Sequence, residues 1–310
     1  MLGLGVTAVA LPQFYANPLL TEGALLLLSL PGMLYLWRTW PTSPPLTPPL
    51  PLRRDLSAFV TATGKELQQQ WRTKRVLVVT AVFLLFGLSS PLLARYMPEL
   101  FQTMPGAEQF AALIPTPTIN DALTQYIKNI TQFSFIIAIL SGMGAVAGEK
   151  ERGTAALILS KPLPRWAFVL SKFAAQATVF AAAYLLAALA AYYYTWILFA
   201  PLHLGAFLAG NGLLWLWLMV FTAVTLLGST LTHSTGAGAG ISLLGAVILL
   251  LSGSLPVVGQ FAPAGLVAWA SQLGLPGVTA VANGGTLVAN VVIILVCLVT
   301  AVAAFEQQEL

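Results

Sequence analysis

Charge is what this sequence has least of. Only 8% of the 310 residues are Asp, Glu, Lys or Arg, against about 25% in an ordinary soluble domain. A soluble fold of this length needs a charged outer shell, so the scarcity excludes one. The scarcity is also uneven: between Lys172 and Glu306 there is no charged residue at all. A charge at the bilayer centre costs roughly 2.5–3.5 kcal/mol on insertion scales, and a long uncharged stretch is what consecutive membrane spans leave behind. Ion-pumping carboxylates are excluded from this half. Cys297 is the single cysteine, which excludes an intrachain disulfide; it reads as a small core residue.

The residue patterns of catalysis are missing too. A phosphate-binding loop needs G-x-x-x-x-G-K-[ST], but the Gly64-Lys65 pair is followed by Glu66 and lacks the upstream glycine. The zinc-protease pattern H-E-x-x-H is absent, since neither His203 nor His233 precedes Glu. Ser141 and Ser252, each before a glycine, are the candidate nucleophiles of an intramembrane protease, the rival enzyme class. Both histidines, however, fall in expected turns at membrane edges. A secondary transporter carries charges inside its spans and repeated halves, and neither occurs here. An ATP-independent channel or membrane anchor is the third class.

What is present is apolar sequence in span-length pieces, a crossing needing about 20 residues. Spans are expected at 19–37, 76–93, 130–148, 166–200, 206–231, from 240 outward, and at 286–304. Twelve of the fourteen Lys and Arg residues lie in two clusters, 38–75 and 150–172, and basic clusters beside spans mark the cytoplasmic side. That placement argues for a lipid bilayer, not nucleic acid, as the partner of the positive charge. Residues 1–40 read as an N-terminal extension with an extra span, and 41–54 as a proline-rich linker. Residues 55–71 alternate faces as an amphipathic helix at the membrane surface: Leu56, Phe59, Val60, Leu67 and Trp71 on one side, Lys65, Glu66, Gln68 and Gln69 largely elsewhere. Residues 96–128 read as an outer loop, with a weak glycosylation pattern at Asn129. Lys172, early in the span from 166, is expected to snorkel to the inner interface, and Tyr192, Tyr193, Tyr194 and Trp196 to form an aromatic belt at the far end. Residues 255–285 are too broken by Pro and Gly for one straight helix and suggest a re-entrant or surface helix pair. Gly228, Thr232, Gly236 and Gly240 recur every four residues, a pattern of close internal packing first and dimer contact second. Gln176, Asn211 and Asn290 read first as hydrogen-bonding partners between helices and second as the lining of a path.

The informative segment is GEKERGTAALILSKPLPRWAFVLSK, beginning at Gly148. A span ends there, Gly153 permits a left-handed turn, and Thr154 can cap a new short helix. That helix, 155–160, exposes Leu157, Ile158 and Leu159 between charged flanks; Pro162 and Pro164 stop it, and Arg165 leads back into the membrane. A greasy helix so placed either docks into a partner or lies on lipid headgroups.

This segment resembles the cytoplasmic loop of ABC-2 type transporter permeases, whose pattern runs E-x-E-x-G-T, a few apolar residues, S-x-P and an Arg. Glu149, Glu151, Gly153, Thr154, Ser160, Pro162 and Arg165 match it in order. Lys65-Glu66-Leu67, followed by Arg72, Lys74, Arg75 and an apolar span, is similar to that family's amino-terminal lead-in. The resemblance covers about residues 58–308 by layout. It implies an all-α membrane protein: a six-helix ABC-2 type transmembrane domain over 55–310, with an interfacial amphipathic helix (Lys65, Glu66, Leu67, Trp71) and one additional N-terminal transmembrane helix. It further implies a coupling helix at about 154–160 seated in an ABC ATPase subunit. Glu149, Glu151, Arg152, Gly153, Thr154, Leu157, Ile158, Ser160, Pro162 and Arg165 would form that interface. A second permease subunit, most simply a homodimer, is expected, in the cell membrane with a cytoplasmic C-terminus. No cofactor is expected on this chain; ATP and Mg belong to the partner ATPase. Residues 1–54 depart from the family pattern.

Overall fold

The computed structural model describes residues 52–103, 116–160, 163–199, 201–255, 258–274 and 283–308. The extension 1–40, most of the proline-rich linker and Pro162 lie outside the described residues, so the readings made there are not carried further. Among the described residues there is no strand. The helices are α1 (Leu52–Arg72), α2 (Arg75–Gln102), α3 (Ile119–Gly142), α4 (Ala147–Glu151), α5 (Thr154–Leu159), α6 (Arg165–Leu198), α7 (Leu204–Leu231), α8 (Thr235–Ser252), α9 (Pro263–Gly274) and α10 (Gly284–Glu306). Six are long and apolar enough to cross a membrane: α2, α3 with its continuation α4, α6, α7, α8 and α10.

In hydrocarbon every backbone polar group must find its partner within the segment, which is why apolar runs of this length are helices. The hydroxyls inside the spans obey the same rule. Ser90, Thr222, Thr225, Thr230 and Thr232 each donate to the carbonyl four residues back. Side chains also open the helices. Thr118 and Asp121 form a capping box at α3, while His203, Ser234 and Asn283 accept backbone N–H groups at the starts of α7, α8 and α10.

The bundle is built around α7, which packs on α3, α6, α8, α9 and α10. Trp217 and Phe221 of α7 meet at 4.6 Å, and Phe135 of α3 approaches the Phe221 ring at 6.0 Å. α2 also packs along α6, and the two approach backbone to backbone: a Cβ at Gly87 would meet the Ala187 carbonyl oxygen at 2.5 Å. Small residues allow such approach. Along α6 also runs α1, with Phe59 stacked on Trp166 at 5.9 Å.

Several boundaries differ from the sequence reading. Arg95 does not close α2, which continues to Gln102 with Pro91 and Pro98 inside it. Packed neighbours make helix-interior proline tolerable. α3 starts at Ile119, so much of the expected outer loop 96–128 is helical. Asn129 is an α3 residue whose amide donates to Ser90 Oγ of α2 at 3.0 Å. The span expected at 130–148 is interrupted by a turn between α3 and α4. Of the expected helix pair in 255–285, one member is described: α9, packed so closely on α7 that a Cβ at Gly210 would sit 3.1 Å from the Ala270 carbonyl. Asn290 and Thr286 of α10 donate to the carbonyls of Phe261 and Gln260 just ahead of α9. Gly228 abuts Ser242 and Gly238 of α8, whereas Gly236 and Gly240 face open space; the four-residue series is two separate surfaces, as the turn at His233 requires.

Candidate functional site

All the charged residues of the expected interface collect at one end of the bundle, around α4 and α5. Gly153 separates these two short helices with φ +68°, and nothing lies within 4 Å of where its Cβ would be. Glycine is therefore there for its backbone, not for space. Thr154 does not cap α5: it stands inside the helix, and its hydroxyl donates back to the Glu149 carbonyl at 3.1 Å, closing α5 onto α4. Ser160 Oγ likewise folds back on the Leu157 carbonyl at 2.8 Å. Helical spacing puts Ala155, Ile158 and Leu159 on the bundle side, the first buried and the others half-buried against the core. Leu157 alone of the three expected apolar residues points outward, 71% exposed.

α4 is fastened to the spans at several points. Ser229 Oγ of α7 accepts the N–H groups of Val146 and Ala147, both at 3.0 Å. Lys150 Nζ donates to the Thr230 and Thr232 carbonyls at the end of α7, where a cation suits the helix C-terminus. Glu151 Oε2 accepts the backbone N–H of Thr235 at 3.0 Å and its hydroxyl at 2.8 Å, an acidic group at the start of α8. Lys150 and Glu151 thus close the α7–α8 turn from below. Arg152 and Lys65 are exposed, as is Trp71.

Lys172 was expected to reach toward headgroups; instead it is 4% exposed and turned into the bundle. Its Nζ lies 2.8 Å from Glu149 Oε1 of α4 and 3.0 Å from Glu66 Oε1 of α1, and 4.8 Å from the Phe168 ring centre. These are the ion pairs found among the described residues. A buried charge persists only when paired, and the two glutamates supply the pairing. Glu66 and Leu67, read as opposite faces of α1, both turn toward the bundle and are half-buried, while Leu56, Val60 and Trp71 stay exposed. Glu149 Oε2 is buried and has no partner among the described residues.

Arg165 opens α6. Its Nη1 lies within hydrogen-bond distance of the carbonyls of Phe305, Glu306 and Gln308, at 3.1, 2.8 and 2.9 Å, at the end of α10. Phe168 stacks on Phe305 at 5.0 Å directly beside it. The site thus gathers the expected Glu149, Glu151, Gly153, Thr154, Leu157, Ile158, Ser160 and Arg165 with Glu66, and adds Lys172, Ser229, Thr235 and Phe305, which sequence reasoning missed. One signal did exist: Lys172 is the last charge before a long neutral stretch, and such a residue must be paired if it is not at the surface.

The protease geometry does not assemble. Ser141 donates to the Ile137 carbonyl and receives the Gln176 amide, and Ser252 donates to the Leu249 carbonyl. His203 is occupied in capping α7, and His233 is exposed in the α7–α8 turn.

Six apolar helices, with a charged hub at one end, define a multi-pass membrane protein of the transporter-permease type. The chain belongs to the ABC-2 family of transporter proteins, whose profile matches residues 61–266. It is also similar to YxlG of Bacillus subtilis (strain 168), an uncharacterized transmembrane protein, with 29% identity over 254 residues, 79% of this chain and 96% of the relative. Members of the family are the membrane-spanning component of a transporter and not its catalytic one.

Proposed function

We propose that this permease is the membrane half of an ATP-driven exporter, and that α5 is the helix by which a separate ATPase subunit drives it. The observation that carries the reading is Leu157, 71% exposed on a six-residue helix whose two neighbours are tied to the spans. An isolated exposed leucine is ordinary; one held at the tip of a braced helix is a handle. Glu149, Glu151, Arg152, Gly153, Thr154, Ile158, Ser160 and Arg165 brace or border it.

In this reading the charged end of the bundle faces the cytoplasm and the C-terminus lies there, in a cell membrane. Two copies pair, each with one ATPase, and ATP with Mg is bound and hydrolysed on those partners. α1 lies along the inner membrane surface, with Leu56, Val60 and Trp71 toward lipid and Lys65, Arg72, Lys74 and Arg75 near headgroups. ATP-driven closure of the ATPases presses α5, and the α4 attachments pass the displacement to α7 and α8. The uncharged stretch after Lys172 supports a hydrophobic or amphipathic cargo.

The test is Leu157→Asp. Burying a leucine is worth about 1.5–3 kcal/mol, so capture of the ATPase from membranes expressing both subunits should weaken by roughly tenfold or more. Insertion and yield of the permease should stay at parental levels. Full ATPase capture by this variant refutes the docking role.

A further inference from the structure

Six residues after α5 the chain reaches Arg165, whose guanidinium is engaged with carbonyls at the end of α10. We propose that Arg165 is a positioning residue that makes the end of α10 a second output of α5, beside the α7–α8 output through α4. The proposal rests on the reading of α5 as the ATPase-docking helix.

Three observations converge on it. The last carbonyls of a helix have no donors of their own, and at the end of α10 the carbonyls of Phe305, Glu306 and Gln308 surround Arg165 Nη1 at 2.8–3.1 Å. Sharing of N–H groups among several carbonyls is common at helix ends, and the positive charge complements the helix C-terminus. Next, Phe305 is fully buried and stacked on Phe168, one turn into α6, with ring planes 10° apart. Finally, the Thr230 carbonyl of α7 accepts from both Gln308 Nε2 at 3.0 Å and Lys150 Nζ. α4, α7 and α10 therefore meet at one oxygen atom. Arg165 follows six residues after the end of α5 and α4 stands directly before that helix, so a displacement of α5 has two ways into the spans, through α4 to α7 and through Arg165 to α10.

The test is amide hydrogen exchange on the purified full chain, for the parent, Arg165→Ala, Arg165→Lys and the milder Gln308→Leu. It is run on the chain alone and on the complex with captured ATPase, with and without vanadate-trapped nucleotide. In the chain alone, the amides of 303–308 should exchange roughly tenfold faster in Arg165→Ala, as expected for loss of a charge-assisted hydrogen bond. Lysine should restore most of the protection, because an ammonium also offers several donors; Gln308→Leu should give a smaller increase. In the complex, nucleotide trapping should alter exchange at both α5 and the end of α10 in the parent and in Arg165→Lys, with the α10 response reduced severalfold in Arg165→Ala, where the contact of Gln308 with the Thr230 carbonyl is the remaining link. Parental exchange at 303–308 in Arg165→Ala, or an α10 response to nucleotide that is undiminished in Arg165→Ala, overturns the proposal. Failure of the parent chain to capture an ATPase overturns the docking reading and the coupling role with it, whereas failure of the clamp leaves capture intact.

Discussion

Replacing Lys172 with methionine keeps the length of the side chain and removes its charge from a site that is 4% exposed. Glu149 and Glu66 then face each other with no cation between them. Their oxygens lie 2.8 and 3.0 Å from the same nitrogen, so they are no more than about 6 Å apart, and at an effective dielectric of about 20 their repulsion is about 3 kcal/mol. That agrees with the roughly 3–5 kcal/mol lost when one partner of a buried ion pair is removed. The loss should be reversible by chemistry and not by size. Adding Glu149→Gln and Glu66→Gln to Lys172→Met removes the stranded charges and should bring stability back to within about 1–2 kcal/mol of the parent, since neutral isosteres of buried ion groups are commonly tolerated. Glu66→Gln alone leaves a neutral Lys172–Glu149 pair and should cost less than Lys172→Met. Unfolding by SDS in mixed micelles, followed by circular dichroism, gives the ordering. A Lys172→Met chain as stable as the parent, or a triple variant no better than the single one, refutes the claim that the Lys172 charge holds this buried joint together.

Gly87→Ala should destabilise by about 1–3 kcal/mol, the usual cost of overpacking, because its Cβ would meet the Ala187 backbone. Gly236→Ala, with nothing within 4 Å, should be neutral or slightly stabilising in the same unfolding assay. Tyr126→Phe removes the hydroxyl that donates to Asn211 Oδ1 at 2.6 Å. A buried acceptor left alone costs about 1–3 kcal/mol, so Tyr126→Phe with Asn211→Leu should be more stable than Tyr126→Phe alone.

The spans were legible because charge cannot enter hydrocarbon cheaply, and its distribution along the chain draws them. The short helix α5 was legible because Gly153 and the prolines after it are constraints on the backbone, which act locally. What could not be read was which face of a helix meets which neighbour. The hydrophobic sorting of α1 put Glu66 with the solvated residues, yet the face that packs on α6 carries Glu66, because α6 presents Lys172 there. The two residues are 106 positions apart, and no pattern within either segment announces the other. The same holds for Arg165, which matched a motif by its place in the chain while its partners are carbonyls at the end of α10. Ile158 and Leu159 were read as outward beside Leu157 because the segment is uniformly apolar; the spacing of Ala155, Ile158 and Leu159 decides it only once the bundle's direction is known. The extra helix in 96–102 was hidden by Arg95, whose charge suggested a span's end although the helix continues beyond it.

The 18 residues of α8 have a consequence for the surrounding lipid. At 1.5 Å per residue this helix is about 27 Å long, a little short of a hydrocarbon layer about 30 Å thick, while α6, with 34 residues, reaches about 51 Å and overshoots it. Acyl chains beside α8 must compress to meet it, at a cost of fractions of a kcal/mol per Å. The protein accordingly sits in an uneven collar, pinched on the α8 flank, and bilayers of shorter-chain lipids relieve that pinch.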